Sequence, residues 1–185
     1  MTVSSRSLSY VLPHRSALRI TAIAWITLTC LFASVSLASH NLADGSKVNM
    51  RVILPDSDTP TTLSRDDLAE MPEAEYLTST VWTDAVHRYS GVLLRDILTS
   101  FSVDVDGGTG EVLLTAMDGY SATLPFHKIT EAAPMIAFLR DGEPMPRRGQ
   151  GPFWLIFPYD EDPAFRQETI YALSVWQIEE IRIRR

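Results

Sequence analysis

The sequence predicts a mixed α+β domain with a β-rich core and short helices. Three observations carry this. Most apolar runs are brief and rich in Val, Ile, Thr and Tyr, the composition of pleated, half-buried strands. Asp-Gly pairs at 118–119 and 141–142 separate such runs, as tight hairpin turns require. Helix-like stretches are short and scattered, without the strand–helix alternation of a doubly wound sheet.

Taken in order, residues 39–47 are polar and read as frayed. "KVNMRVILP" alternates as a strand ending at Pro55, and "DSDTPTT" reads as a loop. Ser64, with Asp67 three residues on, marks the N-cap of a short helix, "SRDDLAEM", stopped by Pro72. "EYLTSTVW" reads as a strand. "GVLLRDILTSF" has helical spacing, Val92, Leu93, Ile97 and Leu98 facing one way and Arg95 and Asp96 the other. "EVLLTAMDGYSATLP" is a hairpin, "FHKITEAA" a short helix ending before Pro134, and "MIAFLRDGEPM" a buried strand with a second turn. "RRGQGPFWLIFPYDEDP" joins a basic loop to an apolar strand and an acidic loop. "YALSVWQIEEIRIRR" reads as one long strand or a strand pair, with a register shift near its two glutamates.

At 185 residues the chain has the length of one domain. Arg6, Arg15 and Arg19 lead into "ITAIAWITLTCLFASVSLA", and no acid precedes Asp44. That arrangement predicts a secretory signal over 1–38, cleaved near Ala38, and a single domain over 39–185. The alternative is an uncleaved anchor, because the 18 residues Ile20 to Leu37 approach a minimal membrane span. A lipoprotein signal is disfavoured by Thr29, which is bulky for the position before Cys30. Cleavage would remove three of 16 basic residues and leave 13 against 23 acidic ones, a balance of −10. So acidic a domain is a poor candidate for nucleic acid or anionic membrane, since both need a cationic surface, and a membrane remains a partner only if the leader is uncleaved. Cys30 is the only cysteine, so the domain beyond the leader has no disulfide, thiolate ligand or cysteine nucleophile.

Few residues carry chemistry by spacing alone. His40, His87 and His127 form no zinc-type pattern, and His87 with Asp84 makes only half a site. Gly-x-Ser-x-Gly is absent, and "VDGGTGE" precedes a strand and reads as a plain turn. Asp160, Glu161 and Asp162 have the chemistry of a calcium loop, but Pro163 follows at once and a solvated loop is the simpler reading. Arg147 and Arg148 beside glycines offer guanidinium forks and backbone N–H groups to an anion, or form a solvated turn. Trp82, Tyr89, Tyr120, Phe153, Trp154, Tyr159 and Trp176 fall at element ends, most as core and a few as pocket walls.

In order, "VWTDAVHRYSGVLLRDIL", "AMDGYSATLP", "LRDGEPM", "RRGQGPFWLIFPYDEDP" and "SVWQIEEIRI" resemble the molybdopterin-binding domain of the sulfite oxidase family, and more closely its small exported single-domain bacterial members. The resemblance covers about residues 50–185. It implies a sulfite oxidase-type molybdopterin-binding fold and oxidoreductase chemistry at a molybdenum held by a pterin dithiolene. It also implies one metal-binding cysteine about a dozen residues before the Gly that opens the "GVLLRDIL" segment. Counting back from Gly91 reaches Ser79, within Thr78-Ser79-Thr80, and a hydroxyl is a harder ligand than a thiolate with a far higher pKa. Lysines that meet the cofactor's phosphate in the family correspond here to "ALSV" at 172–175, and the leader has no Arg-Arg pair.

These departures predict a domain that keeps the fold without the thiolate-held metal and acts as a small-ligand or partner-binding, sensory module. Ser79, Trp82, His87, Arg88, Arg147, Arg148 and Tyr159 are then the cofactor- or ligand-binding candidates, with no residue assigned to catalysis and none to metal. The expected partner is a small anionic ligand or an exported protein, and the expected location periplasmic or secreted. The alternative is an active molybdopterin-dependent oxidoreductase in which Ser79 or a water completes the metal's coordination.

Overall fold

The computed structural model describes residues 48–185 apart from Asp58 and Gly108. The expected leader, Cys30 and His40 lie outside the described residues. Among the described residues ten strands form two five-stranded sheets that share one apolar core.

In the first sheet the order is β2 (Thr61–Ser64), β1 (Asn49–Ile53), β10 (Ile178–Arg184), β5 (Glu111–Ala116), β6 (Ser121–Pro125). Only β1 and β10 run parallel, Val52 opposite Ile181; the other pairs are antiparallel. Period-two alternation buries Met50 and Val52 of β1, and Val112, Leu114 and Ala116 of β5. In β10 Ile178, Ile181 and Ile183 are buried, and the register slips between Ile178 and Glu180. The expected shift near the glutamates is therefore a bulge that brings Ile181 and Ile183 back to the core face.

The second sheet orders β3 (Ala74–Thr78), β4 (His87–Leu93), β7 (Met135–Arg140) and β8 (Glu143–Pro144), and β9 (Trp154–Ile156) also pairs with β7. The first four residues of β7 and all of β9 are buried, which explains their continuous apolar runs. Between β7 and β8, Asp141 and Gly142 both take positive φ (53° and 83°), the geometry of the tight turn that their sequence predicts.

Helices are short: α1 (Arg65–Ala69), α2 (Leu94–Ser100) and α3 (Glu168–Tyr171). Ser64 and Asp67 form the expected capping box, each side chain satisfying the other residue's backbone N–H. No described helix is long and apolar enough to cross a membrane.

Five local expectations are corrected. Gly91–Leu93 ends β4 instead of opening a helix, because it pairs with β7 and Leu93 faces Met135. Short apolar runs satisfy both periods, and the sheet partner decides between them. Thr61–Ser64 pairs with β1 where a loop is expected. The strand through Tyr76 stops at Thr78, the "FHKITEAA" helix shrinks to a 3₁₀ turn at Phe126–Lys128, and Tyr171 ends α3 instead of starting the last strand.

Candidate functional site

A cleft of about 390 Å³ opens where the β5–β6 turn, the α3 region and the loop carrying Trp82 meet. Asp118 and Tyr120 come from the turn, Glu168, Tyr171 and Ala172 from α3 and its end, and Ser174, Val175 and Trp176 from the approach to β10. The β5–β6 turn is fixed by Gly119, whose φ of +87° suits a residue without Cβ. It is tied across to α3 by the Tyr120 hydroxyl, which donates to the Ala172 carbonyl (2.7 Å).

Trp82 is the hub of the aromatic cluster beneath. Its ring centroid lies 5.4 Å from Trp176, 5.6 Å from Trp154, 5.7 Å from Tyr171 and 6.4 Å from Tyr159, each pair edge-to-face. Such contacts suit the opposite polarity of ring edge and ring face. Trp154 is fully buried and its indole N–H donates to the Ser174 carbonyl (3.1 Å). Tyr159 is buried behind Trp82, so desolvation raises its hydroxyl pKa well above the ordinary range. That hydroxyl pairs with Ser174 Oγ, which itself donates to the Ile170 carbonyl (3.0 Å).

Ser79 lies at the edge of this cluster and is fully engaged. Its amide donates to Asp160 Oδ2 (2.6 Å) and its hydroxyl to Asp160 Oδ1 (2.8 Å), while the Asp160 amide donates to Thr78 Oγ1 (3.1 Å). Arg166 closes the network, its guanidinium on Asp160 and its Nε–H on the Tyr159 carbonyl (2.8 Å). The acidic loop is therefore a tie. Asp160 clasps Ser79, and Asp162 caps the following 3₁₀ turn through the Ala164 amide (2.7 Å).

The Ser79 amide above all holds the Asp160 carboxyl below the usual carboxylate range, its hydroxyl and Arg166 adding to the effect and partial desolvation opposing it. A depressed folded pKa stabilises the fold above the unfolded value, about 3.9, and that contribution disappears as pH falls through the lower folded value. Acidification from about pH 5 to about pH 2 is therefore expected to lower the Tm of the wild type more than that of Asp160→Asn. Equal slopes in a calorimetric pH series would remove Asp160 from the acid response.

Of the sequence-predicted candidates only Trp82 lines the cleft; Tyr159 packs against Trp82, Ser79 is tied to neighbouring Asp160, and none of the basic candidates joins the lining. His87 Nδ1 hydrogen-bonds Asp141 (2.6 Å), whose other carboxylate oxygen accepts the Arg88 amide (3.0 Å). The Arg88 amide first, then His87, keeps Asp141 below the usual carboxylate range. The Arg88 guanidinium reaches Glu75 on the neighbouring strand (3.5 Å). The His87 ring contacts buried Tyr89 (6.2 Å), and neither His87 nor Arg88 lines the cleft. Arg147 and Arg148 are exposed in a loop latched by Gln177, whose side chain donates to the Gly149 carbonyl (3.1 Å), and neither lines the cleft.

Of the seven aromatics that the sequence offers as core or pocket walls, Trp82, Tyr120 and Trp176 line the cleft, while Tyr89, Phe153, Trp154 and Tyr159 are buried and do not; sequence reasoning missed Asp118, Glu168 and Tyr171 as site residues. "ETIY" is too short for a helical period, so nothing local marks Glu168 and Tyr171 as neighbours of a hairpin some 50 residues upstream. Among the described residues no group of three His, Cys, Asp or Glu side chains could hold a metal ion.

Comparison with known proteins addresses the frame that carries this cleft. No curated protein matches the chain. Among solved structures, the sulfane dehydrogenase SoxCD from Paracoccus pantotrophus is similar with a TM-score of 0.51 and 16% identity, over 74% of this chain and 38% of that one. The chain thus spans well under half of that relative, and the likeness concerns the fold. The sequence matches the family described as oxidoreductase molybdopterin binding domain over residues 43–160. That stretch runs from before β1, through Ser79 and both hairpins, to the Asp160 tie, so the chain belongs to the oxidoreductase molybdopterin-binding domain family.

Proposed function

We propose that this domain keeps the family fold and acts as an exported small-ligand-binding module through the Trp82 cleft, with the thiolate-held molybdenum centre lost. The observation that carries the reading is the state of Ser79. Where the resemblance expects a metal-binding sulfur, both the amide and the hydroxyl are spent on Asp160. The donor chemistry of the chain and of the Trp82 cleft supports the same reading. Cys30 is the only cysteine of the chain, and the described lining of the cleft carries two carboxylates, Asp118 and Glu168, and no cation. A thiolate-held metal and a phosphate-bearing pterin call for the opposite set, so the residues present do not fit that group.

The family match favours a second reading, an active molybdopterin-dependent oxidoreductase with non-thiolate ligation. One experiment separates the two. The full chain, produced with its own N-terminal segment in a host that makes the cofactor, is expected to purify without molybdenum and without pterin fluorescence after denaturation. Stoichiometric molybdenum would overturn the binding-module reading. N-terminal sequencing of the same preparation is expected to begin near Ala38; an intact Met1 would place the protein on a membrane anchor instead.

A further inference from the structure

The lining of the cleft speaks to the charge of its ligand, and the inference rests on the binding-module reading above. We infer that the Trp82 cleft takes a small organic cation, a quaternary ammonium or a multiply alkylated amine.

Four aromatic residues line the space: Trp82, Tyr120, Tyr171 and Trp176. Trp82 meets Tyr171 at 81° and Trp176 at 75°, so the rings form corners, not a stack, and their π faces look in different directions. Corners of aromatic rings are the structural basis for holding alkylated ammonium groups, which have no N–H to donate and bind through cation–π attraction and dispersion. A compact charge spread over methyl groups is the one cation that an apolar wall desolvates cheaply.

The charged residues agree. Asp118 and Glu168 are the charged side chains of the described lining, and no Lys, Arg or His joins them. Asp118 is oriented by the Tyr120 amide, which donates to its Oδ1 (3.0 Å). An anion would meet two carboxylates without a countercharge. A neutral apolar ligand would desolvate them without return. A bare metal ion would find only two carboxylates, the remaining side-chain oxygens of the described lining being the neutral hydroxyls of Tyr120, Tyr171 and Ser174, a poor set for a hard cation. The volume, about 390 Å³, lies at the small end of ligand sites, which run from about 300 to 1,000 Å³. The Tyr120–Ala172 hydrogen bond joins two sides of the cleft and fixes their separation. The basic residues that suggested an anion from the sequence, Arg147 and Arg148, do not line the cleft and leave this balance unchanged.

The test uses the purified full chain with tetramethylammonium, choline, choline's uncharged carbon isostere and sulfate, read by isothermal titration and tryptophan fluorescence. Both cations are expected to bind saturably and to change the emission of Trp82 and Trp176. The isostere should bind at least about tenfold more weakly. Asp118→Asn with Glu168→Gln should cost about tenfold in cation affinity at unchanged Tm, and Trp82→Phe should weaken binding while keeping a ring at that place. Failure of both cations to bind at millimolar concentration overturns the inference. Equal or tighter binding of the isostere or of sulfate overturns it too, and leaves the binding-module reading standing. Stoichiometric molybdenum in the same preparation overturns that reading itself.

Discussion

Replacing Gly91 with alanine is expected to cost more stability than truncating any core side chain. Gly91 lies in β4 opposite Ala137 of β7, beside the register shift at Ser90. A Cβ there would lie 2.0 Å from the Ile136 carbonyl oxygen and 2.7 Å from Ala137 Cα, both backbone atoms that cannot turn aside. The two strands would have to separate, which breaks ladder hydrogen bonds in the most buried sheet and displaces Tyr89 from Trp154. Overpacking usually costs about 1–3 kcal/mol, and a clash with backbone belongs above that range. Domains of this size have about 5–15 kcal/mol to lose. Urea denaturation followed by near-UV circular dichroism reads the effect; a midpoint equal to that of the wild type would contradict the β4–β7 register.

Trp154→Ala should show the second-largest loss, about 3–5 kcal/mol, the usual range for emptying a buried Trp site. Trp154 is wholly buried, touches Tyr89 (5.5 Å), Trp82 (5.6 Å) and Trp176 (6.5 Å), and satisfies the Ser174 carbonyl. Truncation leaves a cavity and an orphaned acceptor together. Trp154→Phe keeps most of the packing and loses only the donor, so its cost should be the smaller of the two. Because Trp82 and Trp176 rest on this ring, ligand binding should fall with stability in the alanine variant. A Trp154→Ala protein as stable as wild type would mean that the aromatic cluster is not the support of the cleft.

Parts of the fold are legible because their cause is local. The capping box at Ser64–Asp67, the turns at Asp118-Gly119 and Asp141-Gly142, and the bulge beside Glu179 each follow from a few neighbouring residues. Their energies are set by backbone sterics and near hydrogen bonds, which travel with the sequence. Gly91–Leu93 shows the limit. Its apolar spacing fits a helix, yet β7 claims it, since a central sheet position offers both ladder hydrogen bonds and burial.

The candidate site divides in the same way. Composition and cysteine count alone determine that residues 39–185 are acidic and without a thiol, and the order of motifs alone determines the family resemblance. Only the tertiary structure decides that Ser79 is bound to Asp160 and that Trp82, not the basic loop, faces the cleft with Asp118, Tyr120, Glu168, Tyr171 and Trp176. Those contacts cross long stretches of chain, 81 residues between Ser79 and Asp160. Each is worth having only once two sheets have brought its partners together, and no local preference of any one segment encodes that meeting.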